Sequence, residues 1–106
     1  MLNLKKLLTK LAKIPNNLFI VKNYTASKTI TGSWGYISGS EFGVSTPTGY
    51  TPVSIVSFAQ DNAGCTIRGL SADAVGASGV MWFNNNGNSN AVNANIKILY
   101  VKTILL

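Results

Sequence analysis

The chain has 106 residues, of which nine are basic, three are acidic and none is histidine, so it forms about one small domain with a net charge of +6. A zinc cluster and a histidine-dependent nucleophilic site are excluded, because the only cysteine is Cys65 and there is no histidine. The acids Glu41, Asp61 and Asp73 are too dispersed to predict a catalytic carboxylate pair. We therefore expect a non-enzymatic protein with no metal site and no cofactor.

Positive charge is concentrated at the start of the chain. Residues 1–28 contain no acid and six lysines, and the charges of the remaining residues sum to zero. We predict a basic amphipathic helix over residues 1–15 and a neutral β-domain over residues 16–106. The lysines of the basic segment are Lys5, Lys6, Lys10, Lys13, Lys22 and Lys28.

The predicted helix carries an apolar seam for oligomerisation or attachment. Asn3 is a suitable N-cap, and Pro15 predicts the end of the helix. A helix of about 12 residues is marginal alone in water, so its seam must be buried. The seam residues, at the spacing of a coiled coil, are Leu4, Leu7, Leu11 and Ile14.

Four partners could bury this seam: the β-domain of the same chain, copies of the helix in a short coiled coil, another protein, or a membrane surface. The membrane is the least favoured, because no Trp or Phe anchors the apolar face. We expect no nucleic-acid partner, since the only arginine, Arg68, lies far from the helix and lysines alone contact phosphate without sequence specificity. The lysines also interrupt the apolar run too often for a signal peptide.

The body consists of short β-forming stretches separated by turn residues. No helical periodicity of any length interrupts them, which excludes a parallel β-α-β arrangement. The pattern predicts an all-β, antiparallel sandwich or jelly-roll-like domain, with hairpin turns at residues 61–64 and at Asn86-Gly87. The predicted strands, in chain order, are 18–24, 28–31, 34–37, 53–58, 65–70, 80–83 and 93–102.

The last predicted strand is apolar on both faces over residues 98–101. A strand buried on both faces in so small a domain indicates that something covers its outer face. A partner chain, the amino-terminal helix or the domain's own loops could provide that cover.

One loop is a candidate ligand site. Residues 84–90 are rich in asparagine and follow Trp82 and Phe83, so they could combine amide contacts to sugar hydroxyls with an aromatic stacking face. The alternative is a polar hairpin loop beside core aromatic residues. The candidate ligand residues are Asn84, Asn85 and Asn88; we expect Trp34, Tyr36 and Tyr50 to pack in the core or against loops.

The sequence resembles a known group of proteins over nearly its whole length. Residues 4–14 are similar to the start of many small phage and prophage proteins. The stretches 28–34, 42–47, 49–56 and 96–102 resemble the carboxy-terminal β-sandwich modules of phage fibre proteins. These stretches are typical of core strands and turns, and they contain no catalytic motif. The resemblance implies a β-sandwich, a trimeric assembly and a virion location.

Three functions follow as hypotheses. The first is a virion structural protein: a short trimeric head or tail fibre or a capsid-surface decoration, which contacts capsid or tail proteins and contributes to attachment to host-surface glycan. The second is a carbohydrate-binding module of a cell-surface or secreted protein, which would be monomeric with an exposed aromatic platform. The third is a membrane-active peptide fused to a carrier domain.

Overall fold

The computed structural model describes residues 3–6 and 18–106, and the second range is almost entirely β-structure. The all-β prediction is confirmed. The elements in chain order are β1 (Phe19–Ile30), β2 (Trp34–Ser38), the short helix α1 (Gly39–Phe42), β3 (Tyr50–Gln60), β4 (Cys65–Leu70), β5 (Gly79–Asn85), β6 (Asn90–Lys102) and a 3-10 turn (Thr103–Leu105).

The four described residues near the start of the chain bear on the predicted helix. Residues 4–6 are helical, and the Asn3 Oδ1 atom accepts the backbone N–H groups of Lys5 at 2.9 Å and Lys6 at 3.3 Å. This confirms Asn3 as the N-cap. Leu4 is exposed, and the other seam residues, Leu7, Leu11 and Ile14, lie outside the described residues.

The strands form two antiparallel three-stranded sheets. Sheet A has the order β1-β6-β3, and sheet B has the order β2-β5-β4. The stretches 18–24 and 28–31, predicted as two strands, form the single strand β1. It pairs with β6 along its whole length, from Phe19 opposite Val101 to Ile30 opposite Asn90.

Both predicted hairpins are wrong. Residues 61–64 connect β3 of sheet A to β4 of sheet B, and Asn86-Gly87 lies between β5 of sheet B and β6 of sheet A. The turn chemistry itself is present, since Gly87 has a φ of 90°. Turn residues specify a change of direction, whereas the choice of pairing partner depends on the packing of the two sheets. Among the strands of residues 18–106, only β4 and β5 are both consecutive and paired.

The core lies between the inward faces of the two sheets. Strand β6 alternates strictly between buried and exposed side chains over most of its length, as expected for a strand with one face in the core. The Tyr100 hydroxyl is buried and lies 2.8 Å from the Tyr24 hydroxyl, which donates to the Ser45 carbonyl. The largest fully buried side chains are Tyr100, Phe83, Ile30, Ile37, Met81, Ile96, Ile98, Val80 and Val92.

Asn85 is a buried polar centre that joins three parts of the chain. Its Nδ2 group donates to the backbone carbonyls of Ile30 and Gly32, and its Oδ1 accepts from the Asn90 side chain. The residue is 4% exposed. Asn85 was predicted as a ligand contact, and this prediction is wrong: its amide is saturated inside the protein. Asn88, by contrast, is exposed.

Helix α1 is held by a capping box at the edge of β1. The Glu41 backbone N–H donates to the Ser38 hydroxyl, and the Glu41 carboxylate accepts the Ser38 N–H and the Lys28 ammonium, the latter at 2.8 Å. Burial alone would raise the pKa of Glu41, but the hydrogen bonds from Lys28 and Ser38 outweigh it and hold the pKa below its ordinary value.

We predict that Glu41 contributes an acid-sensitive part of the stability. Because its folded-state pKa is lowered, the stabilisation is fully present above its ordinary pKa, about 4.3, and is lost as the pH falls through the folded value. Thermal unfolding measured from neutral to acid pH should show Glu41→Gln less stable than wild type at neutral pH. The two melting temperatures should converge below about pH 4. A constant difference at every pH would contradict this.

We also predict opposite outcomes for two neighbouring asparagines. Asn85→Ala leaves the carbonyls of Ile30 and Gly32 without their donor, and it should lower the free energy of unfolding by about 2–4 kcal/mol. Asn88→Ala removes an exposed side chain and should change it by less than about 0.5 kcal/mol. Urea unfolding measures both variants. Equal stability of the two variants would show that Asn85 is not a structural centre.

Candidate functional site

Three aromatic side chains form an exposed surface on the outward side of sheet B. Alternation along β2 and β5 directs Trp34, Tyr36 and Trp82 away from the core, while their neighbours Ile37, Met81 and Phe83 are buried. Trp34 is 58% exposed, Trp82 is 42% exposed and Tyr36 is half-buried. We call Trp34, Tyr36 and Trp82 the aromatic face; it contains both tryptophans of the chain.

Tyr36 and Trp82 are paired across the two strands. Their rings stack with centroids 4.5 Å apart and an interplanar angle of 30°. Glycine lies on two sides of the indole: Gly69 is opposite Trp82 on β4, and a Cβ atom on Gly79 would lie 2.6 Å from the indole Nε1. The indole therefore rests on backbone at Gly79, and neither glycine has a side chain that could cover it.

Lys28 supports Tyr36 from the edge of sheet A. Its ammonium lies 5.1 Å from the centre of the Tyr36 ring and donates to the Tyr36 carbonyl at 2.7 Å. The same ammonium forms the ion pair with Glu41. Lys28 thus positions Tyr36 by one cation–π contact and one hydrogen bond, and its charge is already neutralised by Glu41.

Polar side chains flank the aromatic face on the same sheet. Asn84 on β5 is opposite Trp34 on β2 and opposite Thr66 on β4. The Trp34 indole, the Asn84 amide and the Thr66 hydroxyl therefore form one row across the sheet. Arg68 is exposed and lies in a bulge of β4. Flat aromatic rings beside amide and hydroxyl groups can stack on an apolar ring face while they bind its polar edge.

The predicted ligand loop is only partly used by this site. Asn84 lies beside the aromatic face, Asn85 is buried, and Asn88 is exposed in the loop between β5 and β6. Trp34 and Tyr36 were expected to pack in the core or against loops, and the exposure of Trp34 contradicts this. Tyr50 is partly buried and packs against the core, as expected.

A shallow cavity of about 660 Å³ lies at the middle of sheet A. Its lining comes from residues 25–27, 59–61 and 93–95 and from Glu41. Asp61 accepts the Asn93 backbone N–H and side-chain amide at 2.8 and 2.7 Å, and these bonds lower the pKa of Asp61. Because both oxygens of the Asp61 carboxylate accept hydrogen bonds from Asn93, Asp61 is not available as a general base in this cavity.

The described residues contain no group of acids and cysteines that could hold a metal ion. Burial raises the pKa of the Cys65 thiol, and the residue is 3% exposed. A buried thiol with a raised pKa is a poor nucleophile.

A second exposed surface lies on the outward side of sheet A, where β1 begins and β6 ends. Phe19 is opposite Val101 and Val21 is opposite Leu99, so four apolar side chains share this face. Phe19 and Val21 are 62% and 54% exposed. Leu99 is half-buried and Val101 is buried, so Phe19 and Val21 are the exposed members of the group. We call these four residues the apolar patch; Leu99 and Val101 are the outward-facing residues of the stretch 98–101 that the sequence predicted to need cover. No helix in the described part of the chain is long and apolar enough to cross a membrane.

Comparison with known proteins does not identify a relative: no family model, no curated protein and no solved structure matches this chain. The likeness to phage fibre modules therefore stays a prediction from the sequence.

Proposed function

We propose that this chain is a non-enzymatic attachment protein that binds saccharide through the aromatic face of sheet B. The observation that carries the proposal is the exposure of Trp34 and Trp82 beside the Tyr36–Trp82 stack. Large aromatic side chains are normally buried, and exposed ones clustered on one rigid sheet are typical of recognition surfaces.

The chemistry of the surface fits a sugar ring. A pyranose has an apolar face of C–H groups and a rim of hydroxyls. The indole and phenol rings can pack against that face, and Asn84 and Thr66 supply donors and acceptors at the rim. Because the three aromatic residues lie on paired strands, the surface is formed before the ligand arrives.

We further propose that the protein is a virion component, a short trimeric head or tail fibre or a capsid-surface decoration. The support is the sequence resemblance, the β-sandwich-like fold, the amino-terminal seam and the exposure of Phe19 and Val21 in the apolar patch. A trimer would give a weak saccharide site useful avidity, since a millimolar site contributes only about 4 kcal/mol. A monomeric carbohydrate-binding module of a cell-surface or secreted protein is the alternative, and it would use the same face.

The saccharide site is tested by removing one ring. Trp82→Ala should abolish retardation of the protein in native gels that contain polysaccharide, such as polygalacturonate, xylan or mannan, because the stacking surface is lost. Phe58→Ala is the matched control: Phe58 is similarly exposed but lies on β3 of sheet A. The proposal fails if Trp82→Ala is retarded as strongly as Phe58→Ala, or if no polysaccharide retards the wild type.

The assembly is tested at the apolar patch. We expect a trimer in solution for the wild type, and a shift towards monomer for the double variant Phe19→Ser and Val21→Ser, because polar groups at an interface lose their water without gaining partners. Light scattering during size-exclusion chromatography measures both masses, with Phe58→Ser as the control. A monomeric wild type would contradict the trimer and leave the monomeric binding module.

A further inference from the structure

We propose that the saccharide bound by the aromatic face carries carboxylate groups, as a uronic acid does, and that Arg68 binds the carboxylate. This inference rests on the proposed function and adds the chemical class of the ligand. It is drawn from the place of Arg68 in β4 and from the charges of the described residues around it.

The pairing of β4 with β5 places Arg68 beside the aromatic face. Ile67 is opposite Phe83 and Gly69 is opposite Trp82, so Arg68 is the additional residue of a bulge at this point. A bulge sets two residues of one strand opposite a single residue of the other, and it commonly re-aims a side chain at a functional site. Arg68 and Gly69 together therefore lie opposite Trp82.

Gly69, the neighbour of Arg68, has no side chain that could lie between Arg68 and Trp82. A Cβ atom at Gly69 would be in van der Waals contact with the Trp82 side chain, at 3.7 Å, and glycine places no side chain beside that part of the indole. A ring stacked on Trp82 would thus have an unobstructed edge on the β4 side, where Arg68 is exposed.

The charges around the aromatic face leave Arg68 as its available cation. Lys28 is held by Glu41 and by the Tyr36 carbonyl, and Asp73 accepts a hydrogen bond from Ser71 at 2.7 Å. No described residue forms an ion pair or a hydrogen bond with the Arg68 guanidinium. A guanidinium is weakly hydrated and matches a carboxylate with two parallel hydrogen bonds, so an acidic sugar suits this position better than a neutral one.

The inference is tested with a pair of probes that differ only in charge. Isothermal titration of wild-type protein with an oligogalacturonate and with its methyl ester should give tighter binding of the free acid. Arg68→Ala should weaken binding of the acid about tenfold and leave the ester unchanged, since a charge-assisted bidentate contact is lost. Arg68→Lys keeps the positive charge but loses the paired N–H donors of the guanidinium. Its affinity for the acid should therefore lie between those of the wild type and Arg68→Ala.

Lys97→Ala is the matched control, because Lys97 is an exposed cation on β6 of sheet A. It should bind both probes as the wild type does. An equal loss from Lys97→Ala and Arg68→Ala would show attraction by net charge alone and would overturn the assignment of Arg68.

The outcomes separate this inference from the function on which it rests. If both probes bind the wild type equally, Trp82→Ala abolishes both and Arg68→Ala changes neither, then the aromatic face binds sugar and the acidic specificity is wrong. If neither probe binds and no polysaccharide retards the wild type in gels, the saccharide function itself is wrong.

Discussion

The register of β5 is the constraint on which the aromatic face depends. Side chains alternate along a strand, so burial of Met81, Phe83 and Asn85 forces Trp82 and Asn84 outward. A slip of one residue would bury Trp82 and expose Phe83. Asn85 opposes such a slip, because the hydrogen bonds from its side-chain amide to the carbonyls of Ile30 and Gly32 form only in this register. The core of the sandwich and the proposed binding surface are therefore opposite sides of one packing arrangement.

The chain crosses repeatedly between the two sheets, so strands that are far apart in the sequence become neighbours in one sheet. Strand β1 pairs with β6, so the start and the end of the β-domain form one ladder. Lys28 of β1 then reaches Tyr36 of β2 and Glu41 of α1, which ties the edge of sheet A to the aromatic face. The β1–β6 pairing has a long sequence separation, so a large loop must close before it is gained, whereas the contacts of Lys28 are between residues close in sequence. Damage at Lys28 or Glu41 would thus affect both the sandwich edge and the position of Tyr36.

Much of the fold could be predicted from the sequence, because β-forming stretches with alternating polarity and frequent turn residues are local signals. The pairing of those strands could not, because Asn86-Gly87 specifies a turn but not the sheet in which the next strand lies. The site was missed for a related reason. Trp34 and Tyr36 have the composition of core residues, and which face of β2 is buried depends on packing against the other sheet. Alternation around Ile37 and Phe83 was the available signal, since it places Trp34, Tyr36 and Trp82 on the opposite side from these buried residues.

Saccharide binding on the outward side of sheet B can be observed at individual residues. Both tryptophans lie there, so their indole N–H signals report directly on the surface. In two-dimensional NMR spectra recorded during titration with an oligogalacturonate, we expect the indole signals of Trp34 and Trp82 and the backbone amides of Thr66 and Arg68 to shift. The amides of residues 93–95 on sheet A should stay in place. Shifts confined to sheet A, with both indole signals unchanged, would contradict the account.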